Sequence, residues 1–343
     1  MFENAIVFEV KKTDKRLNEK VDLLLKKEGI KRDKFLDYTS VLLDSNDNVA
    51  ATGSLYKNTM RCLAVDSAYQ GEGLIAKIVT HLKEKEFERG NYHYFGYTKP
   101  SAEHSFLPLG FYKITEVDNK LVFMENKKNG FSNYLKTLNE YKTDKSSSAI
   151  VMNANPFTLG HLHLVQRAAD ESNIVHLFVL SEDESEFPSD VRKHLVKEGV
   201  KGLSNVIVHE TGPYMISNAT FPSYFLKDDE EVVKVHSHLD ATMFTMIASV
   251  LNITKRYVAE EPFSPTTALY NKAMKEILPK KGIELKVIPR FSIDGQIISA
   301  SFVRENIKNG NLEVLEKYVP KTTYDFLRSK DALPIIEKIK NKV

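Results

Sequence analysis

In the second half of the chain, apolar runs of strand length alternate with segments of helical period. AIVMN (149–153), IVHLFVLSE (174–182), NVIVHE (205–210), VVKVHSHLD (232–240), RYVAEE (256–261) and IELKVIPR (283–290) read as strands. Helices are expected near Leu162–Glu171 and Asp190–Glu198, in a segment ending at Val250, and over Thr266–Leu278. This alternation predicts a parallel sheet with helices on both faces, a doubly wound α/β domain. The first half differs. AIVFEV, FLDYTSVLL, NVAATGSLY and MRCLAV (60–65) precede one helix, Gly73–Arg89, and two later strands, NYHYFGYT and GFYKITEV, so a strand-rich α+β domain is expected. The polar stretch TDKSSS (143–148) reads as a linker, which divides the chain into domains 1–145 and 146–343.

A length of 343 residues agrees with two domains, each able to bury its own core. With 42% apolar and 27% charged residues, long disorder is not expected. Lysine plus arginine total 48 against 46 acidic residues, so no bulk field directs the chain to nucleic acid or to an anionic membrane, and neither is expected as a partner. The single cysteine, Cys62, excludes intrachain disulfides and multi-thiolate zinc sites. It is expected to be a small buried hydrophobe. No secretory signal is visible and no apolar run is long enough to span a bilayer, so a cytoplasmic location is expected.

Ligands of open parallel sheets sit at the carboxyl ends of the strands, which directs attention to strand-to-helix turns. The first such turn is NANPFTLGHLH (153–163), where Thr158 can cap a helix and Gly160 permits close backbone approach. His161 then stands in the first helical turn, beside free N–H groups and the positive end of the dipole, an arrangement suited to phosphate. From this segment alone, a capped turn with incidental histidines stands equally open. The second turn, IDGQIISASFVRENIKNG (293–310), leads a loop into a helix, with Ser299, Ser301 and Arg304 around its start. Hydroxyls and a forked guanidinium there can take phosphate oxygens, although Ser-x-Ser before a helix is commonly just a cap.

Together the turns resemble the two motifs of the nucleotidylyltransferase superfamily, H-or-T-x-G-H and I-S-S-T-x-x-R, written here as Thr158-Leu159-Gly160-His161 and Ile298-Ser299-Ala300-Ser301-Phe302-Val303-Arg304. Ala300 departs from that pattern and offers no hydroxyl. The segments NANPFTLGH, EDESEFPSDVRKHLVKEG, TGPYMISNATFPSYFLK, EEPFSPTTALYN and IISASFVRE, in this order, resemble the citrate lyase ligase family. That family implies an N-terminal domain similar to GNAT-type acetyltransferases. LAVDSAYQGEGLIAKIVTHL (63–82) is similar to their coenzyme A loop at Gln70, Gly71 and Gly73, with Ile75 where many have Gly or Ala, and FLPLGFYKI, with Gly110 and Phe111, to their later strand. A β-hairpin followed by a capped helix is the plain alternative for the glycine-rich segment.

The resemblance implies an acid-thiol ligase. Acetate and Mg²⁺-bound ATP would give acetyl-AMP, and the acetyl group would pass to the prosthetic-group thiol of the citrate lyase acyl carrier subunit. It implies His161, Thr158 and Arg304 as catalytic residues, and Asn155, Phe157, Gly160, Ser299, Ser301 and Arg192 around ATP. Gln70, Gly71 and Gly73 would form a loop for the carrier's CoA-like arm, and no protein-held metal is expected. His236 and His238, two apart on an expected strand, read as structural, and His163 as pointing away from the phosphate face. Two enzymatic alternatives remain, an adenylyltransferase acting on a phosphate-bearing cofactor precursor and an N-acetyltransferase; a third is a nucleotide-binding partner without turnover.

Overall fold

The computed structural model describes all residues except 1, 3–5, 182–184, 216–220, 223, 225, 227–228, 261–264 and 343, and gives only the backbone at 229 and 265–269. The chain forms two compact units. One comprises Met1–Tyr134 with Asn218–Leu239, the other Leu135–Ser217 with Asp240–Val343.

The first unit is built on a seven-stranded mixed sheet. In chain order its elements are β1 (Phe8–Glu9), α1 (Lys15–Lys27), β2 (Tyr38–Leu43), β3 (Val49–Tyr56), β4 (Thr59–Val65), α2 (Leu74–Glu88), β5 (Phe95–Thr98), α3 (Glu103–Phe106), β6 (Tyr112–Val117) and β7 (Leu121–Glu125), and α4 (Gly130–Asn139) begins in it. The spatial order is β1-β2-β3-β4-β5-β7-β6. All neighbours run antiparallel except β4 and β5, which pair in parallel only at Thr59–Phe95 and Met60–Gly96. Beyond those two pairs the strands diverge and open a gap in the sheet. This is the GNAT-like α+β arrangement that the resemblance implies. α2 covers one face because Leu74, Ile78, Val79 and Leu82 recur at helical spacing and are buried. α1 covers the other with Val21, Leu24 and Leu25; its segment was not read as helical from sequence.

Cys62 is buried with φ +50°, at the place where β4 carries one residue more than β3 between Ala64 and Arg61. Burial pushes its thiol up to about 12, so at neutral pH it is a protonated core side chain, as expected.

The second unit holds a five-stranded, wholly parallel sheet. Its elements are β8 (Ser147–Met152), α5 (Leu159–Asp170), β9 (Val175–Val179), α6 (Ser189–Gly199), β10 (Val206–Glu210), α7 (Asp229–Val250, of which Asp240–Val250 belong here), β11 (Ile253–Ala259), α8 (Pro265–Ile277) and β12 (Glu284–Ile288). A two-stranded hairpin, β13 (Ser292–Ile293) and β14 (Gln296–Ile297), precedes α9 (Ala300–Lys308), α10 (Lys321–Leu327) and α11 (Leu333–Lys340). Strand order is β10-β9-β8-β11-β12, so the connections reverse direction at β8 and leave a crevice between the carboxyl ends of β8 and β11. The expected doubly wound sheet is present.

Two local expectations are overturned. Ser147 and Ser148, read as linker, open β8, because their hydroxyls are satisfied by Leu251 O at 2.8 Å and Ser172 Oγ at 2.6 Å. VVKVHSHLD, read as a strand, lies in the 22-residue helix α7. There Val235, Leu239, Met243 and Ile247 repeat every four residues and are buried, and the Ser237 hydroxyl donates to Val233 O at 2.6 Å in the i−4 pattern of a helix. Tertiary burial at the 3.6 period overrides the β-branched run. His236 packs on Phe221 and His238 on Asp118, and no cluster of three metal-ligating side chains occurs among the described residues. No helix of the described residues is long and apolar enough to cross a membrane.

Candidate active site at the carboxyl end of the parallel sheet

β8 is buried on both faces and ends at Met152, from which the chain turns through Asn153–Phe157 into α5. Ala154 takes φ +50° and the Asn155–Pro156 peptide is cis. Thr158 caps α5: its Oγ1 accepts from His161 N at 3.4 Å, and His161 Nδ1 accepts from Thr158 N at 3.1 Å, the Oγ1···Nδ1 distance being 2.9 Å. The histidine thus fills the place that Glu or Gln takes in a capping box. Because a backbone N–H donates to Nδ1, the ring proton sits on Nε2, and His161 is held as a neutral, single-donor imidazole. Burial, with the positive charge of Arg290 behind it, lowers its pKa to about 4. Phe157, fully buried, stacks behind the ring at 5.8 Å and 16°.

Gly160 is where the second turn arrives. A Cβ there would lie 2.8 Å from the backbone oxygen of Ile298, so only glycine lets the two turns touch. Ile298 leads into Ser299, the N-cap of α9, whose Oγ accepts from Phe302 N at 3.1 Å. One turn later, Arg304 donates to Asn155 O and, through Nη2, to Ser301 Oγ at 3.2 Å, while its Nε lies 3.4 Å from Glu186 Oε2. Asn155 binds the same carboxylate through Nδ2 at 2.6 Å and accepts from Phe187 N at 3.0 Å.

The structure therefore brings together His161, Thr158, Gly160, Asn155, Phe157, Ser299, Ser301 and Arg304. Thr158 is buried and engaged with His161, the geometry of a residue that fixes the imidazole. Arg192, expected as a second phosphate clamp, is corrected: it is wholly buried and donates to Phe187 O at 3.0 Å, Asn153 O and Oδ1 at 2.8 Å and Leu180 O at 2.7 Å. It ties the ends of β8 and β9 together from below, satisfying carbonyls at the strand ends.

Two site residues escaped the sequence reading. Glu186 offered no signal, since a carboxylate is not sought beside phosphate. Burial raises the pKa of its carboxyl, but hydrogen bonds from Lys342 and Asn155, with the charge of Arg304, win and hold it at about 2. Arg290, at the end of IELKVIPR, carried the faint signal of a cation directly beyond a parallel strand.

The first unit carries a separate cavity of about 850 Å³ in the gap between β4 and β5. Gly71 (φ +89°) and Gly73 (φ +72°, the N-cap of α2) form one end with Gln70 and Ile75. Tyr224 lines it too, its hydroxyl donating to Tyr97 O at 3.2 Å.

Residues 147–327 match the citrate lyase ligase C-terminal domain. The chain is 36% identical to the [citrate [pro-3S]-lyase] ligase of Klebsiella pneumoniae, over 92% of this chain and 93% of that protein. With the ligase of the same name from Haemophilus influenzae it shares 33% identity over 94% of this chain and 98% of the relative. Among solved structures, a GNAT-family acetyltransferase from Staphylococcus aureus is 15% identical and covers 36% of this chain and 99% of its own, at a TM-score of 0.30. The segments similar to the ligases at 182–184, 216–220 and 261–264 lie outside the described residues.

Proposed function

Since this chain belongs to the citrate lyase ligase family and is a ligase, we propose that it acetylates the prosthetic-group thiol of the citrate lyase acyl carrier subunit with acetate and ATP, by way of acetyl-AMP, and so activates citrate lyase. In the first step an acetate oxygen attacks the α-phosphorus and the bond to pyrophosphate breaks. In the second the thiol sulfur attacks the acetyl carbonyl, releasing AMP and a proton. Neither step demands a strong base from the first turn; what the α-phosphate needs is alignment and charge stabilisation. His161 Nε2–H donates to its oxygens, Gly160 and the α5 amides cradle it, and Ser299, Ser301 and Arg304 hold the departing pyrophosphate. Mg²⁺ arrives on the triphosphate as part of the substrate and neutralises its oxygens.

The observation that carries this reading is the meeting of the two turns at the β8 end, Gly160 against Ile298 O and Arg304 on Asn155 O. The experiment is ATP–pyrophosphate exchange with Mg²⁺, with and without acetate, in the absence of carrier. Acetate-dependent exchange is expected; exchange indifferent to acetate points to a phosphate acceptor, and none under any condition removes the acyl-adenylate.

We assign the cavity of the first unit to the carrier's dephospho-CoA-type arm. Gly71 and Gly73 leave open backbone where a pyrophosphate can approach, no atom lying within 4 Å of a Cβ built on either. Replacing both by alanine strains two positive-φ positions and is expected to weaken carrier binding at least about tenfold, with acetate-dependent exchange unchanged. Unaltered carrier affinity and turnover in that variant would remove the assignment.

A further inference from the structure

The first-turn imidazole brings a proton but no charge. Its Nδ1 is spent on Thr158, and a neutral Nε2–H can only share the negative charge that builds on the α-phosphate. Arg304 is partly committed, its Nε beside the Glu186 carboxylate. The charge balance at the reacting phosphate therefore calls for another cation, and one stands on the opposite wall of the crevice.

Arg290 follows β12 by two residues. Its Nε donates at 2.8 Å to the backbone oxygen of Glu260, the first residue beyond β11, while Glu260 N donates to Ile288 O at 2.8 Å. The root of its guanidinium is thus pinned at the carboxyl end of β11, on the crevice side where the strand order reverses. The residue after it, Phe291, stacks on His163 of α5 at 4.7 Å and 12°. Phe291 O then accepts from Ile298 N at 3.1 Å, and Ile298 is the residue that touches Gly160. Arg290 is held between a strand end and a loop fastened twice to the first turn of α5, with half-buried surroundings that strengthen its field. That field reaches His161, where it adds to burial in keeping the ring neutral.

We propose that Arg290 is a further catalytic residue, a fixed cation that binds the α-phosphate from the β11 side, opposite the pyrophosphate-holding Arg304. The inference rests on the reading of this crevice as an ATP site. Arginine suits the position because Nε is taken by Glu260 O while the two terminal nitrogens remain forked for phosphate oxygens.

The test compares Arg290→Ala and Arg290→Lys with the parent enzyme in acetate-dependent exchange and in Mg²⁺–ATP binding by calorimetry. Arg290→Ala is expected to lower kcat about thirtyfold with the ATP Kd raised several-fold, the loss of one charge-assisted contact that strengthens in the transition state. Arg290→Lys should recover part of it, and added guanidinium should rescue Arg290→Ala but not a variant that has merely misfolded. A folded Arg290→Ala enzyme with parental kcat and ATP affinity overturns the proposal. If the parent shows no acetate-dependent exchange, the function is misread, and ATP binding then decides Arg290 alone: unchanged affinity in both variants overturns it, a loss of about tenfold or more in Arg290→Ala supports it.

Discussion

His161→Ala is expected to lower acetate-dependent ATP–pyrophosphate exchange by about a thousandfold, with ATP affinity much less affected. The asymmetry follows from the geometry of the ring. Nδ1 accepts from Thr158, so the one proton the imidazole can offer points from Nε2, and a hydrogen bond aimed at a phosphoryl oxygen gains most when charge accumulates there. Because the folded-state pKa lies near 4, the imidazole stays neutral from pH 6 to 8 and the rate should show no step from this group in that window. Stability carries the same sign. The folded value lies below the ordinary 6.5, so the contribution of the neutral ring is complete above about pH 6.5 and is lost as pH falls toward 4. A rate profile that titrates near 6.5 and flattens in His161→Ala would contradict the neutral-donor role.

Gly160→Ala is expected to reduce turnover by about a hundredfold although it adds one methyl group. That methyl would stand 2.8 Å from Ile298 O and 3.5 Å from Thr158 Oγ1. The first neighbour is backbone, fixed by the Ile298 N to Phe291 O hydrogen bond and by the Phe291–His163 stack, so it cannot swing aside as a side chain would. Relief requires α5 and the α9 turn to part, which separates His161 from Ser299, Ser301 and Arg304. Overpacking of this kind costs about 1–3 kcal/mol of stability, and a displacement on the order of 1 Å between catalytic groups can cost about a hundredfold in rate. Exchange kinetics and a thermal melt separate the two losses. Parental turnover in the alanine variant would mean that the contact between the turns is dispensable.

Much of this site is local in sequence, and that part was legible. A strand, a turn, a cap and a helix start lie within the sixteen residues from Ser148 to His163, and hydroxyl, glycine and histidine each answer a local backbone requirement. The same holds for Ser299, whose cap is formed three residues on. What escaped detection depends on partners distant in the chain. Arg192 looked like a surface cation on a helix, and only the convergence of Asn153, Leu180 and Phe187 carbonyls around it explains its burial. Glu186 acquires meaning through Arg304 and Asn155, and Arg290 through Glu260. The helix α7 was misread because Val232, Val233 and Val235 favour strand locally, whereas the buried face that decides the matter runs on to Ile247.

The first unit is not contiguous: Asn218–Leu239 belongs to it, and Tyr224 from that segment packs with Val21, Leu24 and Cys62. On a ribosome that emits the chain from its N-terminus, Met1–Tyr134 waits for residues 135–217 to emerge before its core can close. At about 5–20 residues per second, this interval lasts roughly 4–20 s, long enough for the α1 face of the sheet to stand uncovered and to recruit a chaperone. The cavity that Tyr224 helps to line is thus completed late in synthesis, so the pocket assigned to the carrier arm forms only once much of the other unit's sequence has been made.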